Sequence, residues 1–260
     1  MEQDELSRLA DANYYEGFRR LATAMDGGEV IEADGLLLLR TGLPAAAFNL
    51  AFVTRSLTDP RTSIERAVTY FDGYGLPFVV RVRAGVDERA ERAAEACGLP
   101  YSDTVPGMTL APIPTIPPPP STLVIRTARD RSALDDHLDV LIASFGMPRE
   151  FGARLLNERL LRMPGCELYV GYVDGVPVAS SMLCATNGMA GVWNVGCLPS
   201  HRKRGLGEAM TWQAVRRGAE LHCDIANLQA SEMGQPIYER MGFRVVSPYR
   251  TFVRRQASVG

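Results

Sequence analysis

The stretch His201–Glu208, HRKRGLGE, decides how this chain is read. Arg202, Lys203 and Arg204 run directly into Gly205 and Gly207, with Leu206 between the glycines. Taken alone, that is either a solvated cationic turn or a cradle for a phosphate group. The flanks discriminate. Upstream, Ala190–Leu198 (AGVWNVGCL) reads as a strand. Downstream, Leu206–Leu221 (LGEAMTWQAVRRGAEL) places Leu206, Met210, Ala214 and Val215 on one side of a helix. The glycines therefore sit where a strand yields to a helix. The first amides of a helix have no intrahelical acceptor, and the dipole there is equivalent to about half a positive charge. Glycine lets a ligand reach that backbone without Cβ interference. With cations nearby, such a turn suits a pyrophosphate. It is not a P-loop, because no G-x-x-x-x-G-K-[ST] occurs, and G-x-G-x-x-G is incomplete.

Beyond the helix, HCDIANLQA (His222–Ala230) reads as a strand and GQPIYERMGF as a short helix stopped by Gly242. RVVSPYRTFV (Arg244–Val253) then reads as two closing strands. Before the turn, DRSALDDHLDVLIASFG (Asp130–Gly146) and PREFGARLLNERLLRM (Pro148–Met163) each carry apolar residues at helical spacing. ELYVGYV, Asp174-Gly175 and VPVASSMLCAT read as a β-hairpin, the Asp-Gly supplying the turn.

Proline punctuates the chain at Pro112–Pro120, PIPTIPPPP. Proline fixes φ and removes the amide donor, so this stretch reads as an extended connector. A faint repeat spans it. FNLAFV (Phe48–Val53) resembles WNVGCL (Trp193–Leu198), and ACGLPYSDTVPGMTL resembles RMGFRVVSPYRTFV. Asn49 and Gly98 are 49 positions apart; Asn194 and Gly242 are 48 apart. Two matches at nearly one separation argue for a duplicated unit. The expected organisation is residues 1–111, a linker over 112–121, and residues 122–260. In the first half, TRSLTDPRTSIERA stands where the glycine turn should be, has no G-x-G, and is interrupted by Pro60. Ala94 falls at the position of Tyr238.

Composition narrows the function classes. The 260 residues are 46% apolar and 22% charged, with a formal net charge of −2, so bulk charge points to neither nucleic acid nor an anionic membrane. No apolar run approaches the ~20 residues that span a bilayer. The N-terminus, MEQDELSRLAD, lacks the basic and apolar regions of a secretory signal. The five cysteines are scattered and odd in number, and the three histidines are widely spaced. That pattern favours neither disulfides nor a metal centre, and fits a reducing cytoplasm.

The R-x-x-G-x-G turn, Arg202–Gly207, followed by LQASEMGQPIYERMGF (Leu228–Phe243), resembles the GNAT superfamily of acyl-CoA-dependent N-acyltransferases. The resemblance runs from Leu123 to Val253 and is weaker over residues 1–110, which resemble a degenerate second copy in a tandem protein. It implies an α/β (α+β) fold of two GNAT-like units, each a mixed, mostly antiparallel sheet flanked by helices, arranged as a pseudo-dimer. It further implies acetyl-CoA as co-substrate, with its pyrophosphate on the amides of Arg202, Lys203, Arg204, Gly205, Leu206, Gly207 and Glu208. Val195, Cys197 and Leu198 would present backbone groups to pantetheine, in a wedge between their strand and the one near Leu228. Ser231 occupies a position often held by asparagine in the family. Tyr238 matches the tyrosine that often lies near the CoA sulfur, and is the candidate proton donor to the departing thiolate.

The base is not evident. AGVWNVGCL holds no carboxylate; Asn194 can orient water or substrate but cannot be a strong base. Glu232 and Asp224 are outside candidates. An acyl-cysteine on Cys197 lacks a histidine placed to activate it. Trp193, Met182 and Trp212 read either as pocket lining or as core. The resulting expectation is acetyl transfer to a primary amine of a small molecule, by a monomeric pseudo-dimer or a homodimer. A CoA-binding sensor without turnover and a protein N-acetyltransferase are the alternatives.

Overall fold

The computed structural model describes residues 3–255. The chain begins with α1 (Gln3–Ala24), β1 (Glu29–Ala33), β2 (Leu36–Arg40), β3 (Asn49–Val53), α2 (Pro60–Gly73), β4 (Phe78–Arg83), α3 (Glu88–Ala96) and β5 (Tyr101–Leu110). After the proline stretch come β6 (Val124–Thr127), α4 (Arg131–Phe145), α5 (Arg149–Leu155), α6 (Glu158–Leu161), β7 (Cys166–Val173), β8 (Val176–Thr186) and β9 (Met189–Cys197). The chain closes with α7 (Leu206–Glu220), β10 (Ile225–Gln229), α8 (Gln235–Arg240) and β11 (Arg244–Arg254).

Local chemistry sets most boundaries. Asp130 caps α4 by accepting from the Ala133 amide at 2.9 Å, and Gly146, at φ 66°, ends it. Asp174 and Gly175 have φ of 51° and 79°, the pair of left-handed residues that a tight hairpin turn requires. Elsewhere the structure departs from expectation. The single helix read over Pro148–Met163 is two, because the Asn157 side chain accepts from the amides of Arg159 and Leu160 and starts α6 afresh. The two closing strands are one. Pro248 does not end β11, since its carbonyl still accepts from Ala84. The short β6 lies outside the elements read from sequence, and β5 spans ten residues.

Two compact units emerge, and they are not the two linear halves. One comprises the described residues up to Gly17 together with Gly107–Val246; the other comprises Phe18–Pro106 and the described residues from Ser247 onward. The boundary at the prolines is crossed because each unit takes its last strand from the other half of the sequence. In the first unit, Gly107–Leu110 of β5 pair antiparallel with β10. In the second, Tyr249–Arg254 of β11 pair antiparallel with β4. Apart from β6, which pairs antiparallel with β7 in the first unit only, the remaining pairings within the units repeat. In the first unit β7, β8 and β9 run antiparallel in turn and β9 is parallel to β10. In the second, β1, β2 and β3 run antiparallel and β3 is parallel to β4. The same sequence of three antiparallel strands and a parallel fourth thus occurs in both units.

Each unit has its own core. The first buries Met108, Leu183, Val192, Met210, Val215, Leu228 and Phe243. The second buries Phe52, Ile64, Phe71, Phe78, Val80 and Phe252. The proline stretch has no helix or strand from Ile113 to Pro120. It lies in the first unit, where Ile113 and Ile116 pack on the core and Arg216 donates to the Pro117 carbonyl at 2.8 Å.

Strand exchange predicts that the linear halves do not fold separately. Residues 1–111 and 112–260, expressed apart, should each lack a cooperative thermal transition, because β4 or β10 loses its antiparallel partner. Co-expression should restore one. A cooperative transition in either piece alone would contradict the exchange.

Candidate active site

The site begins with a strand pair that stops pairing. β9 and β10 are in parallel register only over Met189–Gly191 and Ile225–Asn227. Beyond that β9 runs on to Cys197 and β10 to Gln229. A β-bulge accompanies the parting. Ser180 opposes Gly196 and Met182 opposes Trp193, so Asn194 and Val195 together face Ser181. Asn194 takes a left-handed φ of 54°, which asparagine tolerates better than most residues. Its carbonyl accepts from Ser180 Oγ at 3.0 Å, and its Nδ2 lies 3.9 Å from Met182 Sδ. Trp193, Asn194, Val195, Cys197 and Leu198 are all half-buried, as a strand beside an opening should be.

The strand leads through a 3-10 turn, Pro199–His201, into the glycine segment. Lys203 and Gly205 both have positive φ, 61° and 74°. Gly205 is the N-cap of α7 and offers no side chain to its amides. The Ala209 amide bonds the Gly205 carbonyl at 3.0 Å. That leaves the amides of Leu206, Gly207 and Glu208 ahead of the helical ladder. The space before them is open. A Cβ on Gly205 would meet nothing within 4 Å, and one on Gly207 would meet only Val195 Cγ1, at 3.9 Å. Arg202 is tethered by donating to the carbonyls of Cys197 and Ser144, each at 3.4 Å. Lys203 and Arg204 are exposed.

Tyr238 lies on α8 and Ser231 in the turn that precedes it. Ser231 is exposed, and its Oγ accepts from the Gly234 amide at 3.1 Å, so its hydroxyl serves the turn that opens the helix. Tyr238 is 9% exposed and stands edge-on to Phe243 with ring centroids 6.0 Å apart. Burial raises its phenol pKa; the Thr211 hydroxyl works in the other direction. Thr211 is fully buried on α7 and donates to the Gly207 carbonyl at 2.9 Å. It links the phenol's surroundings to the glycine turn, and sequence reading missed it. The available signal was its place one helical turn after Gly207.

The other candidates are dispersed. Glu232 and Asp224 are exposed. Burial pushes the Cys197 thiol pKa up, although Arg202 and Arg204 pull the other way. His137 is fully buried against the Tyr169 carbonyl, with its pKa pushed down to about 4, and His201 Nδ1 contacts Ser200 Oγ. Trp212 belongs to the core, whereas Trp193 stacks on Tyr14 of α1 with centroids 5.6 Å apart. Among the described residues, no group of three His, Cys, Asp or Glu is placed to hold a metal ion, and no helix is long and apolar enough to cross a membrane.

The second unit treats the same features differently. β3 and β4 stay in register from Leu50–Val79 to Val53–Val82, the last residue of β3. Pro60 does not interrupt α2 but begins it, lacking an amide at its first position. The Asp59 carboxylate caps the helix, accepting from the Thr62 amide and hydroxyl at 3.1 and 2.8 Å. These bonds hold its pKa below the usual value. An anion already sits where the first unit leaves open amides.

Residues 121–230, which hold the parted strands and the glycine turn, match the family model for the acetyltransferase (GNAT) domain. They are a GNAT domain. Solved structures share the fold along most of the chain. A GCN5-related N-acetyltransferase from Kribbella flavida is 17% identical, with 97% of this chain and 96% of that one covered and a TM-score of 0.75. One from Sphaerobacter thermophilus is 16% identical over 85% and 81% of the two chains, at 0.60. A tandem GNAT protein from the clavulanic acid biosynthesis pathway is 14% identical over 86% and 79%, at 0.56. No curated protein matches the chain in sequence.

Thr211→Val keeps the size of the side chain and removes the hydroxyl between Tyr238 and Gly207. Unfolding free energy should fall by about 1 kcal/mol, and the Tyr238 phenol should titrate at higher pH. Ultraviolet difference titration against Tyr238→Phe isolates that phenol. An unchanged titration would remove Thr211 from the site.

Proposed function

We propose that the chain is an acetyl-CoA-dependent N-acetyltransferase that passes the acetyl group directly to a primary amine of a small or amino acid-like acceptor. One observation carries the reading: within the GNAT domain, an uncapped helix start with open space before it adjoins a strand pair that has parted. The fit to a CoA diphosphate is chemical. The amides of Leu206, Gly207 and Glu208 are free of the helical ladder, the glycines leave room, and Lys203 and Arg204 supply charge. The parted stretch of β9, from Val195 to Leu198, offers backbone groups to the pantetheine arm.

Acyl transfer needs a neutral amine, a donor for the oxyanion and a proton for the leaving thiolate. The amide of Val195 or Cys197 serves as the oxyanion donor in this reading. Tyr238 supplies the proton. Its raised pKa keeps the phenol protonated throughout the neutral range. Asn194 orients the amine or a water, held by the bulge. A covalent route through Cys197 is disfavoured, because its thiol resists ionisation. The second unit is proposed to bind no CoA, since Asp59 and Pro60 occupy its helix start. A cytoplasmic setting belongs to the same reading.

The absence of a carboxylate on β9 favours one other reading, a CoA-binding sensor without turnover. Thiol release from acetyl-CoA across a panel of amines separates the two. Saturable binding without acceptor-dependent release would select the sensor.

Gly207→Glu places bulk and negative charge before the free amides. Calorimetry should show CoA binding lost while the circular dichroism spectrum persists; unchanged affinity would eliminate the turn as the phosphate site. Tyr238→Phe should lower kcat by roughly 10–1000-fold and leave CoA affinity intact. Because the phenol pKa lies above its ordinary value of 10.0, wild-type kcat should show no falling limb from this group below that pH.

A further inference from the structure

Cys166 opens β7, and Cys184 is its direct partner across the strand pair in β8. Their sulfurs are 3.7 Å apart, and no disulfide joins them. The backbone around them is favourable for a bond. The Ala185 amide donates to Gly165 at 2.7 Å, the Cys166 amide donates to Met163, and the Cys184 carbonyl accepts from Asn13 Nδ2. The two cysteines therefore face each other at a position without mutual backbone hydrogen bonds. Opposed Cα atoms at such positions are ~4.5 Å apart. A disulfide spans Cα separations of ~4.4–6.8 Å. Closing this bridge needs side-chain rotation and little backbone movement.

Access differs between the two sulfurs. Cys184 is 1% exposed and Cys166 5%. Cys166 also forms part of the wall of a cleft of about 430 Å³, shared with Arg129, Arg131, Glu158, Arg162 and Glu167. Four of these charges have partners: Arg131 pairs with Asp135, Arg162 with Glu158, and Glu167 with Arg217. Arg129 is exposed and forms no ion pair among the described residues. The cleft wall thus carries an unneutralised guanidinium together with the more exposed of the two cysteines. The pair is apart from the acyl-transfer site, since Cys184 opposes Gly191, where β9 is still paired with β10.

We propose that Cys166 and Cys184 are a thiol–disulfide couple, with Cys166 the attacking sulfur, Cys184 the resolving one, and a small anionic disulfide of the glutathione type as oxidant. The Cys166 thiolate attacks the external disulfide, forming a mixed disulfide and releasing one small thiol. The Cys184 thiolate then attacks the Cys166 sulfur, forming the cross-strand bond and releasing the second small thiol. The two protein protons leave on the two small thiols, and the oxidant gains the two electrons that the cysteines lose. The product ties β7 to β8 at the end of the hairpin opposite the Asp174-Gly175 turn.

The test uses the full reduced chain exposed to oxidised glutathione, denatured, alkylated and mapped by mass spectrometry. Two of the five cysteines should lose alkylation, with a Cys166–Cys184 linked peptide. Cys184→Ala should instead accumulate one glutathione on Cys166, and Cys166→Ala should leave Cys184 unmodified. Arg129→Ala should slow bridging by oxidised glutathione but not by neutral 2-hydroxyethyl disulfide. Five alkylatable cysteines after oxidation, or a bridge through Cys97, Cys197 or Cys223, would overturn the proposal. An equal effect of Arg129→Ala on both oxidants would overturn the role of the cleft. Mapping of the wild-type chain decides the bridge even if a cysteine variant fails to fold.

Discussion

A helix must satisfy its first amides or leave them to a ligand, and this chain contains both solutions. At α2 the Asp59 carboxylate accepts from the Thr62 amide, and Pro60 has no amide to satisfy. At α7 the cap is Gly205, which has no side chain, and no residue of the turn closes on the amides that follow. With glycine as the cap, the helix forgoes roughly a few tenths of a kcal/mol relative to a side-chain cap. Buried packing of α7 through Leu206, Met210, Trp212 and Val215 offsets that loss. The open amides are therefore tolerated by the core rather than required by the fold.

The same trade holds for the strands. Full pairing of β9 with β10 would bury both edges and remove the opening. The bulge at Asn194 and Val195 places two residues against Ser181 and turns the strand. A left-handed non-glycine residue is disfavoured, and the bond from Ser180 Oγ to the Asn194 carbonyl helps to hold it. Gly196 completes the arrangement, because a Cβ there would lie 2.8 Å from Ser144 Oγ and 2.9 Å from Ser180 Oγ. In the second unit β3 lacks these devices and stays paired with β4 to its end at Val53. Bulge, glycine and parted edge occur together in one unit and are absent together from the other.

Legibility in the sequence followed the range of the interaction. The Asp174-Gly175 turn and the strand–glycine–helix order of the turn depend on neighbours in the chain, and each was readable. The Asn157 cap was local too, but the leucine pairs on either side of it, Leu155-Leu156 and Leu160-Leu161, continue the apolar pattern and concealed the break between α5 and α6. β6 is four residues long with no buried position, so periodicity had nothing to detect. Strand exchange was invisible for a different reason. β5 and β11 each carry a strand's pattern, but which sheet takes them is decided by edges more than a hundred residues away, Leu228 facing Met108 and Phe252 facing Val80. The contact between Tyr238, Thr211 and Gly207 joins two helices, and spacing along one chain segment could not reveal it.

The exchange also explains why a half without an open helix start remains indispensable to the half that has one. The first turns of α1 are built into the GNAT-containing unit. Buried Asn13 donates to Thr186 Oγ1 at 2.7 Å and to the Cys184 carbonyl at 3.1 Å, and Asn227 on β10 donates to the Ala10 carbonyl at 3.2 Å. Removing α1 would leave such groups unsatisfied, at a cost of about 1–3 kcal/mol each. Tyr14 stacks on Trp193, and a Cβ on Gly17 would lie 2.3 Å from the same indole. Trp193 immediately precedes the bulged Asn194, so the helix fixes the strand at the residue where it begins to turn away. The N-terminal sequence thus acts on the site through the geometry of β9, an effect that needs no ligand of its own.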